Sequence, residues 1–260
     1  MFRLCQGARY LPSPPDCPTS VGRTFRFAAM SHSAPTSSRE NSNPPSASAS
    51  WYTDLKISLK KNEKSRESRY FQLATVDSSG KPCNRTVVYR GFFPQGGAVN
   101  DSIITFVTDR RSDKVEQVAH CPFVEIAWYF PATREQYRLK GVIQVVGEES
   151  DPDLVKAREI SWKNMSDPGR QQFLWPTPGV PRTGQDESQY DTKDHPQKDA
   201  PVAPHFCLCC VYVTHVDHLN LKTNERRVHA RADGLANPTD IIESRHGTAV
   251  AWKPALRVNP

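Results

Sequence analysis

Apolar and polar positions alternate in short runs over two stretches of the chain, Trp51 to Pro176 and His205 to the end, with the period of β-strands. The runs Phe71–Val76, Asn84–Tyr89, Ile103–Val107, Val124–Phe130 and Gln136–Val146 are rich in β-branched and aromatic residues. Turn segments such as DSSGKP (77–82) and PQGG (94–97) separate them. Strands resume at Cys207–Thr214, His218–Leu221 and Arg226–Arg231, and the chain closes with Val250–Trp252 and LRVNP. Connections this short leave no room for helical crossovers, so the sheet is expected to be antiparallel. A closed barrel would remove its edges.

Three helices break the pattern. Trp51, Leu55 and Leu59 recur every four residues in WYTDLKISLKK (51–61), Val115, Val118 and Ala119 are expected on one face of Asp113–His120, and acids open Asp151–Lys163. The fold class is therefore mainly β with flanking helices. One domain is expected over 51–260. Its Pro-rich, charged segment 176–204 has almost no aliphatic content and reads as a flexible surface insertion.

Residues 1–50 differ. Arg3, Arg9, Arg23, Arg26 and Arg39 sit among many Ser, Thr and Pro with only Asp16 and Glu40 as acids, the composition of an organelle transit peptide or of a disordered tail. The Ser and Pro content favours chloroplast over mitochondrion, with the cytoplasm as the remaining alternative. The formal charge of +6 comes from dispersed Lys and Arg without a dense patch, so nucleic acid is not an expected partner. No apolar run reaches the roughly 18 residues of a membrane span, and no membrane association is expected. Seven cysteines without regular spacing point to a reducing compartment rather than a disulfide framework. In HFCLCC, Cys207 and Cys210 have CxxC spacing, but on a strand they face opposite ways and no second pair exists, so no metal is expected.

The candidate chemistry lies at strand ends. VTDRRSDKVEQV runs from a strand end at Val107–Thr108 through a turn to a helix start near Ser112, with Lys114 in the first turn. That arrangement offers hydroxyl, ammonium and backbone N–H donors to an anion. Arg85 and Arg90 bracket TVVY, Gln136 can both donate and accept at the start of a strand, and alternation puts Arg227, His229 and Arg231 on one strand face. Three such groups together favour an anion between them. The taken-alone alternatives are a capped helix, solvated strand ends and a wet outer face. No GxGxxG after a strand, GxxxxGK[ST], HExxH or GxSxG occurs, which argues against Rossmann, P-loop, zincin and common serine-hydrolase chemistry.

In order, FQLATV, NRTVVYRGF, REQYRLKG, FLWPTPG and VDHLNL resemble the pyridoxamine 5'-phosphate oxidase family, and more closely its plant and cyanobacterial branch. The resemblance spans about 52–260 apart from the insertion. It implies an FMN-binding split β-barrel that works as a homodimer. It also implies oxidation of pyridoxamine or pyridoxine 5'-phosphate, both vitamin B6 phosphates, to pyridoxal 5'-phosphate with dioxygen as acceptor. Matched position by position, the FMN residues are Arg85, Thr86, Val87, Val88, Tyr89, Arg90, Val107, Thr108, Ser112, Lys114, Gln136 and Arg231, with Arg85 at the phosphate and Gln136 at the ring edge. Arg227 and His229 match the residues that clamp the substrate and take the catalytic roles.

The chain also departs from the family pattern. Arg90 replaces a substrate-contacting lysine, Asp113 a basic cofactor position, and LKT at 221–223 a tryptophan near the flavin. The substrate-phosphate motif has no clean match, leaving Arg170 and Ser166 as candidates. Two competing readings share the fold: a nicotinamide-dependent flavin reductase and a non-catalytic FMN or vitamin-phosphate binding protein.

Overall fold

The computed structural model describes residues 50–95, 98–182, 184, 190, 196–244 and 250–260. The tail or transit segment expected over 1–50 therefore lies, but for Ser50, outside the described residues, as does part of the insertion. Among the described residues, eight strands form one sheet: β1 Tyr70–Val76, β2 Pro82–Gln95, β3 Ala98–Asp109, β4 Phe123–Phe130, β5 Glu135–Val146, β6 Phe206–Asn220, β7 Glu225–Ala230 and β8 Leu256–Val258. Their order is β3-β2-β1-β4-β5-β6-β7-β8, and a further β3–β6 pairing closes the first six into an antiparallel barrel. Closure removes the edges that an open sheet would expose. β7 and β8 extend the sheet beyond β6.

Alternation sends Phe71, Leu73, Ile104, Phe106, Ile126, Trp128, Tyr137 and Leu139 into the barrel, where they are fully buried or nearly so. Helix α1 (Ser50–Lys61) supplies Trp51 and Leu55 to that core and packs Leu59 against it, as the four-residue spacing requires. Burying each of these side chains stabilises the fold by about 1.5–3 kcal/mol. A second core lies on another sheet face, where Val142, Leu208, Cys210 and Tyr212 meet Leu154 and Ala157 of α3 (Pro152–Lys163) and Ile241 of α5 (Pro238–Glu243). Cys207, Cys209 and Cys210 are all buried, and burial raises the Cys209 thiol well above its ordinary pKa. They act as small apolar side chains.

Four features differ from the sequence reading. On α2 (Asp113–His120), Val118 is buried and Val115 half-buried, but Ala119 is exposed, so the apolar stripe is narrower than expected. β6 is a single strand of 15 residues where two runs were expected. The polar residues that split the pattern are buried with partners: Asp217 pairs with Arg138 and with Arg226, the latter at 2.7 Å, and His218 stacks on Tyr137. The helices α4 (Asp167–Gln171) and α5 carry no clear apolar period and were not foreseen. The insertion is less detached than its composition suggests: Ala203 is buried with Trp162, Met165, Phe173 and Phe206 in a third apolar cluster.

Candidate functional site

β2, β3 and α2 converge on a cavity of about 420 Å³. β2 contributes Arg85, Thr86, Val87, Val88 and Arg90, β3 contributes Val107, Thr108 and Asp109, and α2 contributes Lys114. The facing wall is apolar and aromatic, with Met165, Phe173, Trp175 and Pro176, and then Pro178 and Tyr190 from the insertion. Gln172 completes the lining.

The cations are held by neutral partners. Arg85 donates to Thr75 Oγ1 at 2.5 Å and to Gln117 Oε1 at 2.7 Å, with longer contacts of 3.3 Å to the carbonyls of Leu73 and Cys83. Burial lowers its pKa, but a guanidinium stays protonated. Lys114 Nζ donates to Thr108 Oγ1 at 3.0 Å and to Ser112 Oγ at 2.8 Å, and burial lowers its pKa too. The cavity's carboxylate, Asp109, is engaged by Arg111 at 2.7 Å. Arg111 also donates to the Trp175 carbonyl at 2.9 Å, tying the β3 turn to the aromatic wall. Positive charge at the cavity is thus paired mainly with hydroxyls and an amide. That donor set suits a phosphate dianion. Among the described residues, the Trp175 indole N–H is buried without a hydrogen-bond partner, a donor open to a ligand that carries acceptors.

Of the residues expected at the cofactor, Arg85, Thr86, Val87, Val88, Arg90, Val107, Thr108 and Lys114 therefore line one cavity, and Ser112 supports it through Lys114. Tyr89 does not line it. Its ring packs against Phe92 and Trp128, and burial raises its phenol pKa.

Gln136, Arg227, His229 and Arg231 are also outside this cavity. Gln136 is half-buried on β5, opposite Tyr129 of β4 and Leu219 of β6. Arg227 on β7 pairs with Asp54 of α1 at 3.1 Å. His229 is 2% exposed, and burial, followed by the charge of Arg227, lowers its pKa to about 4. Arg231, just past β7, pairs with Asp233 at 2.5 Å and donates to Ser244 at 3.0 Å.

Arg170, the candidate for the substrate phosphate, is buried and committed to the fold: it donates to the carbonyls of Pro196 at 2.8 Å and Met165 at 2.5 Å and pairs with Asp167. Ser166 is exposed at the start of α4. Sequence reasoning missed Thr75, Gln117, Trp175 and Tyr190. Trp175 lies inside the quoted FLWPTPG segment, and that was its only signal.

Residues 48–147 match the family model described as pyridoxamine 5'-phosphate oxidase, FMN-binding domain. The chain is 41% identical over 180 residues to pyridoxine/pyridoxamine 5'-phosphate oxidase 2 of Arabidopsis thaliana, a match covering 68% of this chain and 86% of the relative. It is 33% identical over 102 residues to pyridoxine/pyridoxamine 5'-phosphate oxidase of Pseudomonas fluorescens, covering 39% of this chain and 43% of that one. Among solved structures, a pyridoxamine 5'-phosphate oxidase-related, FMN binding protein of Nostoc punctiforme superposes with a TM-score of 0.68 at 34% identity, covering 82% of this chain and 98% of that one. With a closed barrel, and a cavity whose Arg85, Arg90 and Lys114 lie within the matched residues, the chain belongs to the pyridoxamine 5'-phosphate oxidase family, and its cofactor is FMN.

Proposed function

We propose that this FMN oxidoreductase converts pyridoxamine 5'-phosphate or pyridoxine 5'-phosphate to pyridoxal 5'-phosphate, reducing dioxygen to hydrogen peroxide, with water taken up and ammonia released when the substrate is the amine, and that it works as a homodimer. The observation that carries the reading is the cavity in which Arg85, Arg90 and Lys114 face an aromatic wall. That pairing of cations with apolar surface suits a phosphorylated aromatic ligand. The similarity to pyridoxine/pyridoxamine 5'-phosphate oxidases of Arabidopsis and Pseudomonas supports the substrate class.

Bound in the cavity, FMN supplies the two-electron acceptor chemistry. Arg85 and Lys114 hold its phosphate, and the apolar wall keeps water from the rings. Arg227 orients the substrate. His229, neutral above its lowered pKa of about 4, hydrogen-bonds the substrate ring hydroxyl. Since Gln136, Arg227 and His229 lie outside their own chain's cavity, a second copy would complete each site. Tyr70, Phe123 and Tyr129 leave apolar surface at 40%, 44% and 45% exposure on β1 and β4, a face suited to that copy.

Residues 1–50 are proposed to direct the chain to the plastid, on their Arg- and Ser-rich composition. A fluorescent reporter fused to them tests this, and a cytosolic signal would reject it.

The activity test is direct. Purified protein should be yellow and, under air, should form pyridoxal 5'-phosphate and peroxide from either vitamin phosphate. A yellow protein inert to both yet bleached by a reduced nicotinamide would instead be a reductase. One bleached by no donor would be a binding protein.

A further inference from the structure

Asp54 lies on α1 beside Leu55, which with Trp51 is fully buried in the barrel core. Packing therefore fixes the helix, and the helix fixes where the carboxylate can reach. Its Oδ2 is 3.1 Å from Nη1 of Arg227 on β7 and 3.9 Å from Nδ1 of His218 on β6. Among the described residues, Asp54 is the carboxylate paired with Arg227.

The surroundings brace this contact. The Ser58 hydroxyl lies 3.0 Å from the Asp54 carbonyl oxygen and 2.7 Å from Glu135 Oε2, which links α1 to β5. Glu135 Oε1 is 3.2 Å from His218 Nε2, and His218 stacks on Tyr137 with centroids 4.1 Å apart. His218 and Arg227 are register partners across β6 and β7. His218, on one side of Asp54, is thus immobilised by ring packing and a hydrogen bond.

A partly exposed ion pair adds little to folding stability, and the Arg227 side chain is 33% exposed. The same pair has a larger effect on ligand binding, because a guanidinium held in one rotamer need not lose that freedom when a ligand arrives. We infer that Asp54 is a positioning residue of the substrate site: it holds the Arg227 guanidinium in the orientation that receives the vitamin phosphate. This rests on the proposed role of Arg227 at the substrate.

The test uses the full chain reconstituted with FMN and assayed with pyridoxamine 5'-phosphate under air. Asp54→Asn raises KM about tenfold, while kcat changes less than about threefold and FMN binding is unaltered. Asp54→Glu, which keeps the charge, gives a KM between those of the unmutated protein and Asp54→Asn. In combination with Arg227→Ala, Asp54→Asn adds nothing further, because the residue it positions is gone.

If Arg227→Ala raises KM and Asp54→Asn does not, this inference is overturned and the proposed function stands. Wild-type KM in Arg227→Ala, or no turnover by the unmutated protein, overturns the functional reading together with the inference. Should Asp54→Asn fail to fold, Asp54→Glu decides: a raised KM supports positioning and a wild-type KM overturns it. Failure of both variants to fold makes Asp54 a stability residue alone and overturns it.

Discussion

Arg85 on β2 and Gln117 on α2 are joined by a hydrogen bond of 2.7 Å from the guanidinium to Oε1, and the same oxygen accepts from Thr75 Oγ1 at 2.6 Å. Gln117 therefore aims the cation proposed to hold the cofactor phosphate. Gln117→Ala should weaken FMN binding about tenfold, and Arg85→Ala by up to about 100-fold, since a hydrogen bond to a charged group contributes roughly 1.5–3 kcal/mol. Titration of apoprotein with FMN, followed by quenching of flavin fluorescence, reads both. A wild-type dissociation constant in Gln117→Ala would show that the amide does not position Arg85.

His229 gives the fold an acid sensitivity with a defined window. Its pKa is lowered from the usual 6.5 to about 4 in the folded chain, chiefly by burial. The unfolded chain therefore takes up a proton below pH 6.5 that the folded chain resists until about pH 4. The stability this group contributes is present above pH 6.5 and is lost as pH falls towards 4, at no more than about 1.4 kcal/mol per pH unit. Glu135 acts lower. Burial opposes its ionisation, but hydrogen bonds from His218, Thr133 and Ser58 bring its pKa from 4.5 to about 2, so its contribution is lost between those values. Urea melts at several pH values should show a shallower decline between pH 4 and 6.5 for His229→Gln than for wild type. A His229 resonance titrating at or above 6.5 in the folded protein would contradict the account.

The barrel was legible because alternation is a local property. FQLATV sends Phe71, Leu73 and Thr75 inward whatever the rest of the chain does. The cation cluster was legible because Arg85 and Arg90 flank TVVY and Lys114 follows the end of β3, although β2 runs from Pro82 to Gln95 and both arginines lie within it rather than at its ends. Gln117 was not, because its role exists only once α2 docks against β1 and brings the amide to Thr75 and Arg85. Trp175 and Tyr190 were hidden similarly. A Pro-rich composition reads as surface, yet this segment returns to cover the cavity, with the two rings 5.4 Å apart. Tyr89 was assigned by its place in a motif, but the side chain points to Trp128 rather than to the cavity. β6 looked broken at His215–Asp217 because hydropathy cannot register that Asp217 has two arginine partners.

Gly141 marks the register shift where β5 passes β6. A Cβ at this position would lie 2.4 Å from the Tyr212 carbonyl oxygen, a backbone atom of the central strand that cannot swing aside. Gly141→Ala should destabilise the fold by about 3 kcal/mol, at the upper end of ordinary overpacking costs, read as a lowered urea midpoint. Gly80→Ala tests a different cost, since its φ of +79° strains any side chain although nothing lies within 4 Å. That substitution should cost about 1 kcal/mol. Equal losses in the two variants would argue that the close approach at Gly141 relaxes.

Arg85 lines the cavity and Arg227 does not, although the proposed function puts both at one reaction centre. If each centre takes Arg85 from one subunit and Arg227 from its partner, two variants that are impaired at limiting FMN and substrate can complement each other. Arg85→Ala and Arg227→Ala homodimers each carry one lesion in both sites. A mixed dimer carries both lesions in one site and none in the other. Random assortment makes half the dimers mixed, so an equimolar mixture dissociated and reassembled should recover about a quarter of wild-type activity. Residual activity no higher than that of the parents, after mass spectrometry has confirmed mixed dimers, would mean that both arginines serve a site within one chain. A protein that sediments as a monomer while fully active would remove the shared site altogether.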